Sequence, residues 1–277
     1  MSISSPRRTK IVATLGPASS SKEVLRNMIE AGVDIVRMNM SHGSPEDHAK
    51  RINLVRELAD DAKRFVAILV DLQGPKIRIS RFKNKKIQLK KGEAFILDAQ
   101  LGVEDGDQKR VGIDYKELVN DVKAGDTLLL DDGRMVLIVE RVTGQEIHTT
   151  VVTDGELSNN KGINKQGGGL SANALTDKDK IDIKLAAQFD ADYVAMSFPR
   201  SAADINECRA LLAEAGSTAG IIAKIERVEA VENIDEIIKA SDVVMVARGD
   251  LGVEIGDAEL PAVQKHIVTQ ARHLDRG

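Results

Sequence analysis

The chain has 277 residues, 42% of them hydrophobic and 30% charged, with a formal net charge of −4. That much apolar material can build a sizeable core, which excludes a disordered chain. The mildly acidic, mixed-sign charge argues against a nucleic-acid or membrane-surface protein, and 3% aromatics without tryptophan argue against a base-stacking platform. The single cysteine, Cys208, cannot form an internal disulfide and suits a reducing cytoplasm. It reads as a small helix residue rather than a nucleophile. No apolar run approaches the roughly 20 residues that span a bilayer. The start MSISSPRRTK leads into a run too short for a secretory leader. The expectation is a cytoplasmic, soluble protein.

In chain order, "KIVAT" reads as a strand. "SSKEVLRNMIEAG" follows as a helix, with Ser20 and Glu23 in capping-box spacing and Gly32 as its stop. "VDIVRM" is a second strand, and Ser44 then caps a helix with Pro45 at its first position. "VAILVDL" is a third strand, apolar enough to be covered on both faces of a parallel sheet. From Gly74 to about Ser171 the helical period gives way to short strands between glycine and aspartate turns. The clearest are "KIQLKKGEAFIL", "KAGDTLLLDDGRMVLIVERV" with a hairpin at Asp131–Arg134, and "EIHTTVV". After Thr176, a cap, the alternation resumes. Strands "DYVAMSF", "GIIAKIE" and "DVVMVARGD" alternate with helices through Cys208 and over "RVEAVENIDEIIKA", and a last helix starts near Pro261. The expected organisation is an α/β fold of six strand–helix units, with an all-β domain inserted over 74–171 between barrel parts 1–73 and 172–277. Its hinges are expected at Gly74-Pro75 and in "KQGGGLS".

The ends of the apolar runs carry Gly16-Pro17, Arg37 through Gly43, Asp71, Ser197-Phe198, Lys224-Ile225-Glu226 and Arg248-Gly249-Asp250. The C-terminal ends of such strands are where α/β folds build their sites. Glu226 and Asp250 offer hard oxygen ligands to Mg²⁺, while Arg37, Arg78 and Lys224 can neutralise phosphate oxygens. Gly249 and Gly252 allow backbone N–H groups to approach an anion near a helix N-terminus. With no G-x-x-x-x-G-K-[ST] run, a P-loop is excluded. Plainer readings stand beside these. A Lys224–Glu226 pair at a strand end is usually a solvated couple, Arg248 can simply brace its loop, and His42 reads as a loop hydrogen-bonder. Asp131 and Asp132 read as turn residues. "NNKGINKQGGG" reads as a hinge whose Lys161 and Lys165 could also reach a nucleotide. Residue chemistry alone reaches a phosphate- and Mg²⁺-handling α/β enzyme. A barrel aldolase or lyase acting on 2-oxo acids would also use two carboxylates, but it leaves the inserted β-domain unexplained.

"KIVATLGPAS", "VRMNMSHGSPEDH", "DLQGPKIR", "NNKGINK", "SFPR", "AKIER" and "VMVARGDLGVEI" occur in one order, and together they closely resemble pyruvate kinase over essentially the whole chain. The resemblance implies a (β/α)₈ TIM-type barrel with a β-rich lid inserted after the third strand. It implies the last step of glycolysis, phosphoenolpyruvate plus ADP to pyruvate plus ATP, with Mg²⁺ or Mn²⁺. On it, Glu226 and Asp250 match the metal ligands. Lys224 matches the lysine that stabilises the transferring phosphoryl group and the enolate, and Arg37 and Arg78 match phosphoryl contacts. Lys161 falls on the nucleotide side, the backbone at Gly249 would receive the substrate carboxylate, and Asn39, Ser41 and Asp71 match the monovalent-cation pocket. Potassium-dependent members carry Thr-Lys after that aspartate and a glutamate after Gly-Pro. Here Leu72, Gln73 and Lys76 stand there, the pattern of potassium-independent members, with the Lys76 ammonium standing in for K⁺.

The resemblance ends at "ARHLDRG". The expectation is therefore an incomplete barrel lacking the last two strands, the "TQM" segment and the C-terminal domain. The alternative function on that basis is a non-catalytic fragment that binds phosphate ligands or associates with a full-length homologue. The family's usual tetramer makes a homo-oligomer the expected assembly, with neither nucleic acid nor membrane as partner.

Overall fold

A computed structural model describes residues 7–277. The chain opens on strand β1 (Val12–Thr14) and a 3₁₀ turn, Pro17–Ser19. Helix α1 (Lys22–Ala31), strand β2 (Ile35–Asn39), helix α2 (Pro45–Asp61) and strand β3 (Ala67–Asp71) follow. The cap of α1 is Ser21, whose Oγ accepts from the Val24 N–H at 3.3 Å, and not Ser20. Ser20 is spent on the preceding turn, its Oγ donating to the Gly16 carbonyl at 2.7 Å. Gly32 ends α1 at φ +106°, a left-handed stop open to glycine. Ser44 caps α2 with Pro45 at the first helical position, as the sequence indicated.

Beyond Gly74 lies a separate β-domain of two sheets. Its strands are β4 (Lys86–Leu89), β5 (Ala94–Asp98) and β6 (Arg110–Gly112), then, after the short helix α3 (Leu118–Asp121), β7 (Thr127–Leu130), β8 (Met135–Thr143), β9 (Glu146–Val151), β10 (Gly155–Ser158) and β11 (Ile163–Lys165). Six of these run in the order β11-β7-β8-β9-β5-β6, with β10 and β4 paired beside them. "KIQLKKGEAFIL" is two strands and not one, because Gly92 at φ +86° turns the chain between them. The Asp131–Arg134 hairpin joins antiparallel β7 and β8 as expected, Asp131 and Asp132 both taking positive φ. This lid has its own core, built around Phe95, Leu97, Leu128, Leu137 and Ile147.

The chain then returns through α4 (Asp177–Gln188), β12 (Tyr193–Met196), α5 (Ala202–Glu214) and β13 (Gly220–Ile225). It continues with α6 (Val228–Glu232), α7 (Ile234–Ala240), β14 (Val243–Val246), α8 (Arg248–Ile255) and α9 (Leu260–His273). The single helix expected over "RVEAVENIDEIIKA" is broken at Asn233 into α6 and α7. Arg-Gly-Asp forms the first turn of α8, where Asp250 meets the positive end of the helix dipole.

Among the described residues six parallel strands form one sheet, in the order β1-β2-β3-β12-β13-β14. The chain leaves at β3 for the lid and re-enters as the adjacent strand β12, so the insertion leaves the sheet's pairing unbroken. This is part of a (β/α) barrel, with β1 and β14 as its two ends. Side chains alternate along each strand. Val36, Val70, Val194 and Ile221 pack outward under the helices, while Leu69, Ala195 and Ile222 pack on the inner face.

Candidate active site

That alternation places the site. Ile35-Arg37-Asn39, Leu69-Asp71, Tyr193-Ala195-Ser197 and Ile222-Lys224-Glu226 share the inward parity of their strands. In each series the inner face begins apolar and ends polar at the strand's C-terminus. Asn39 and Asp71 are paired in register, as are Ala195 and Asp71, which fixes these ends at one level.

The polar ends meet at a cavity of about 190 Å³ lined by Arg37, Asn39, Ser41, His42, Asp71, Leu72, Gln73, Lys76, Arg78, Ser197, Phe198, Lys224, Glu226 and Asp250. Four cationic side chains (Arg37, Lys76, Arg78, Lys224) therefore face three carboxylates (Asp71, Glu226, Asp250). Lys224 is the hub. Its Nζ lies 2.9 Å from Glu226 Oε1 and 3.3 Å from Asp71 Oδ1, and it donates to Ser197 Oγ at 2.6 Å. The Ser197 hydroxyl in turn donates to the Leu72 carbonyl at 2.7 Å. Burial pulls the Lys224 ammonium toward neutrality, but Glu226 and Asp71 together outweigh it and the net shift is upward, so the lysine stays charged. Burial pushes the Glu226 carboxyl up to about 6, with Lys224 opposing and Asp250 adding to the rise. Arg37 is bound to Asp71 and donates to Thr14 Oγ1 at 2.8 Å. Asn39 Oδ1 accepts the Ser41 N–H at 3.0 Å, and Lys76 Nζ lies 3.0 Å from Asp250 Oδ1.

Lys161 stands outside this cavity, on the lid, where its Nζ pairs with Asp131 at 2.7 Å, and Lys165 pairs with Asp126 at 3.4 Å. Arg248 braces nothing: it is exposed, and its guanidinium has no ion pair or hydrogen bond among the described residues. Gly249 lies in the first turn of α8, where amide N–H groups lack intrahelical acceptors, and a Cβ there would meet no atom within 4 Å. The His42 carbonyl accepts from buried His48 Nε2 at 2.8 Å, in keeping with a loop role. Cys208 is fully buried and inert, its thiol pushed to about 12 by burial. Thr14 carries no charge and was not among the strand ends named from the sequence, whereas Ser197 was, and its place on the inner face follows from the parity of Tyr193-Ala195-Ser197.

No group of three or more His, Cys, Asp or Glu suited to a metal occurs among the described residues. The donor set is instead two hard carboxylates, each already under an ammonium: Glu226 under Lys224, and Asp250 under Lys76. Two carboxylates that attract cations in a polar cavity fit Mg²⁺ or Mn²⁺ of the kind completed by water and substrate phosphate, and not a closed protein cage.

The chain is similar to known proteins along almost its whole length. The family model "Pyruvate kinase, barrel domain" matches residues 6–277. The chain is 59% identical over 273 residues to pyruvate kinase II of Salmonella typhimurium, covering 98% of this chain and 57% of that protein. It is 57% identical to pyruvate kinase of Buchnera aphidicola subsp. Acyrthosiphon pisum, with the same coverage of each. Pyruvate kinase 2 of Synechocystis is 43% identical, over 97% of this chain and 46% of that protein. The chain thus spans about half the length of the curated relatives it matches. A family match over residues 6–277, with relatives of this identity, shows that the chain belongs to the pyruvate kinase family.

Proposed function

We propose that this chain carries a phosphoryl-transfer site that moves the phosphoryl group of phosphoenolpyruvate to ADP, giving pyruvate and ATP. The observation that supports it most is the convergence of Lys224, Glu226 and Asp250 with Arg37 and Arg78 on one small cavity at the strand ends. That volume suits a small phosphorylated acid. A second cavity of about 400 Å³ shares Asn39 and His42 with the first and is lined by Gly16, Pro17 and Gly43, leaving room for a nucleoside to extend.

Phosphoryl transfer needs positioning and charge neutralisation more than covalent help. Glu226 and Asp250 would hold Mg²⁺ or Mn²⁺, which when bound neutralises phosphoryl and enolate oxygens. Arg37 and Arg78 hold the phosphoryl oxygens, and the Gly249 N–H receives the substrate carboxylate. Lys224, kept charged by its two carboxylate neighbours, places a positive charge where the bridging oxygen becomes an enolate. Asn39, Ser41 and Asp71 form the monovalent-cation pocket of the resemblance, with Lys76 supplying the charge in place of K⁺. Lys161 approaches the nucleotide as the lid closes. A cytoplasmic, glycolytic setting and assembly as a homo-oligomer belong to the same proposal.

A chain that binds but does not turn over is the second reading. It is favoured by the sheet itself, whose ends β1 and β14 do not pair with one another. Pyruvate formation from phosphoenolpyruvate and ADP with Mg²⁺, lost in Lys224→Met, supports transfer. A folded chain that binds phosphoenolpyruvate without forming pyruvate supports the second reading.

A further inference from the structure

Phe198 is held where a bulky residue is seldom found. Its φ is +56°, in the left-handed region, and its N–H donates to Glu226 Oε2 at 2.7 Å. Such a backbone persists only where its surroundings over-determine it. Two features do so. Gly74, itself at φ +66°, leaves the space the turn occupies: a Cβ there would lie 2.7 Å from Ser197 Cβ and 2.9 Å from Phe198 Cδ2. On the other side the guanidinium of Arg227 stands over the Phe198 ring, 5.3 Å from its centroid.

Arg227 is buried, and its Nη1 has no hydrogen-bond partner among the described residues, so its charge is spent on this ring and on nearby carboxylates. Those are Glu254 of α8, which accepts the Val228 N–H at 3.1 Å, Glu229, which accepts the Gly169 N–H at 2.6 Å, and, more weakly, Glu226 itself. Gly74 lies in the segment that leads from β3 into the lid, and Gly169 in the segment that leads from the lid to α4.

We propose that Arg227 and Phe198 are positioning residues for Glu226: the cation over the ring holds the left-handed turn that aims the Phe198 N–H at the carboxylate. Because both lid connections rest on the same cluster, the orientation of Glu226 is tied to the seating of the lid. The inference rests on the reading of Glu226 as a metal-holding carboxylate.

The test compares the chain with Arg227→Met, Arg227→Lys and Glu226→Gln by two readouts, amide hydrogen exchange at Phe198 and Mn²⁺ affinity from the free-ion paramagnetic resonance signal. In Arg227→Met, exchange at Phe198 should quicken at least tenfold while the β12 amides stay unchanged. Mn²⁺ affinity should fall about tenfold, the scale for an outer-shell partner. Arg227→Lys, which keeps the cation, should recover part of both. If Arg227→Met does not fold, Arg227→Met with Glu254→Gln removes the stranded carboxylate and serves in its place. Unchanged Phe198 exchange in a folded variant overturns the clamp. Altered exchange with Mn²⁺ affinity intact, while Glu226→Gln loses it, overturns the positioning role and leaves the metal reading standing. Mn²⁺ binding unaffected by Glu226→Gln overturns the metal reading, and with it the positioning role toward metal.

Discussion

The ammonium of Lys76 lies 3.0 Å from Oδ1 of Asp250, joining the first lid connection to the first turn of α8 across 174 residues of sequence. It shares its cavity with Asn39, Ser41 and Asp71, the residues that the resemblance assigns to a monovalent-cation pocket. On the proposed function this ammonium takes the place of an added monovalent ion. Turnover in a tetramethylammonium buffer should therefore change little on adding KCl. Lys76→Met should lose about tenfold, the scale of a hydrogen bond to a charged group, and K⁺ should restore part of the loss. A large rise with KCl in the unaltered chain would contradict this.

Lys224 touches Glu226, Asp71 and Ser197 at once, so its replacement removes the positive charge at the centre of the site. Lys224→Met should lower pyruvate formation by about 10²–10³-fold, the scale of losing one preorganised transition-state contact. Its far-ultraviolet circular dichroism should match the unaltered chain. Equal rates would remove Lys224 from the chemistry.

How much of this was legible in the sequence depends on the kind of signal. The strands, the lid insertion and the charged strand ends follow from hydrophobic period and turn residues, both local. Arg37, Lys224 and Glu226 stood out because a charge ending an apolar run is conspicuous. Ser197 stood among the strand ends, but its contact with Lys224 did not show, because a hydroxyl at a strand end is common. Arg227 and Glu254 were invisible for a different reason: their roles arise from packing against Phe198 and the lid connections, which no local pattern encodes. Ser21 displaced Ser20 as a cap because the preceding turn had already engaged Ser20. Asn233 broke a helix whose periodicity ran on through it.

Burial pushes the Glu254 carboxyl from its ordinary 4.5 up to about 7, with the Val228 N–H and Arg227 opposing. The folded protein therefore holds a proton that the unfolded chain has already lost between about pH 4.5 and 7. Stability is greatest below that window and falls as pH rises through it, by about 3 kcal/mol for this group. Urea midpoints at pH 5 and pH 8 should show the fall, and Glu254→Gln should flatten it. Glu226, raised to about 6, leaves a residual slope of the same sign. Equal slopes in the two proteins would contradict the assignment.

Gly74 takes φ +66°, and any side chain there would meet Ser197 and Phe198 inside van der Waals contact. Gly74→Ala should cost roughly 1–3 kcal/mol from the backbone alone, before the clash is added. A melting temperature equal to that of the unaltered chain would show that the turn moves freely.

On the proposed function, Glu226 and Asp250 bring a divalent ion against the phosphoryl group of the substrate. Relaxation of the phosphoenolpyruvate ³¹P nucleus with Mn²⁺ and the chain measures that proximity without requiring turnover. The account predicts strong paramagnetic enhancement that disappears in Glu226→Gln and in Asp250→Asn. Enhancement that is absent, or that survives both substitutions, would contradict it.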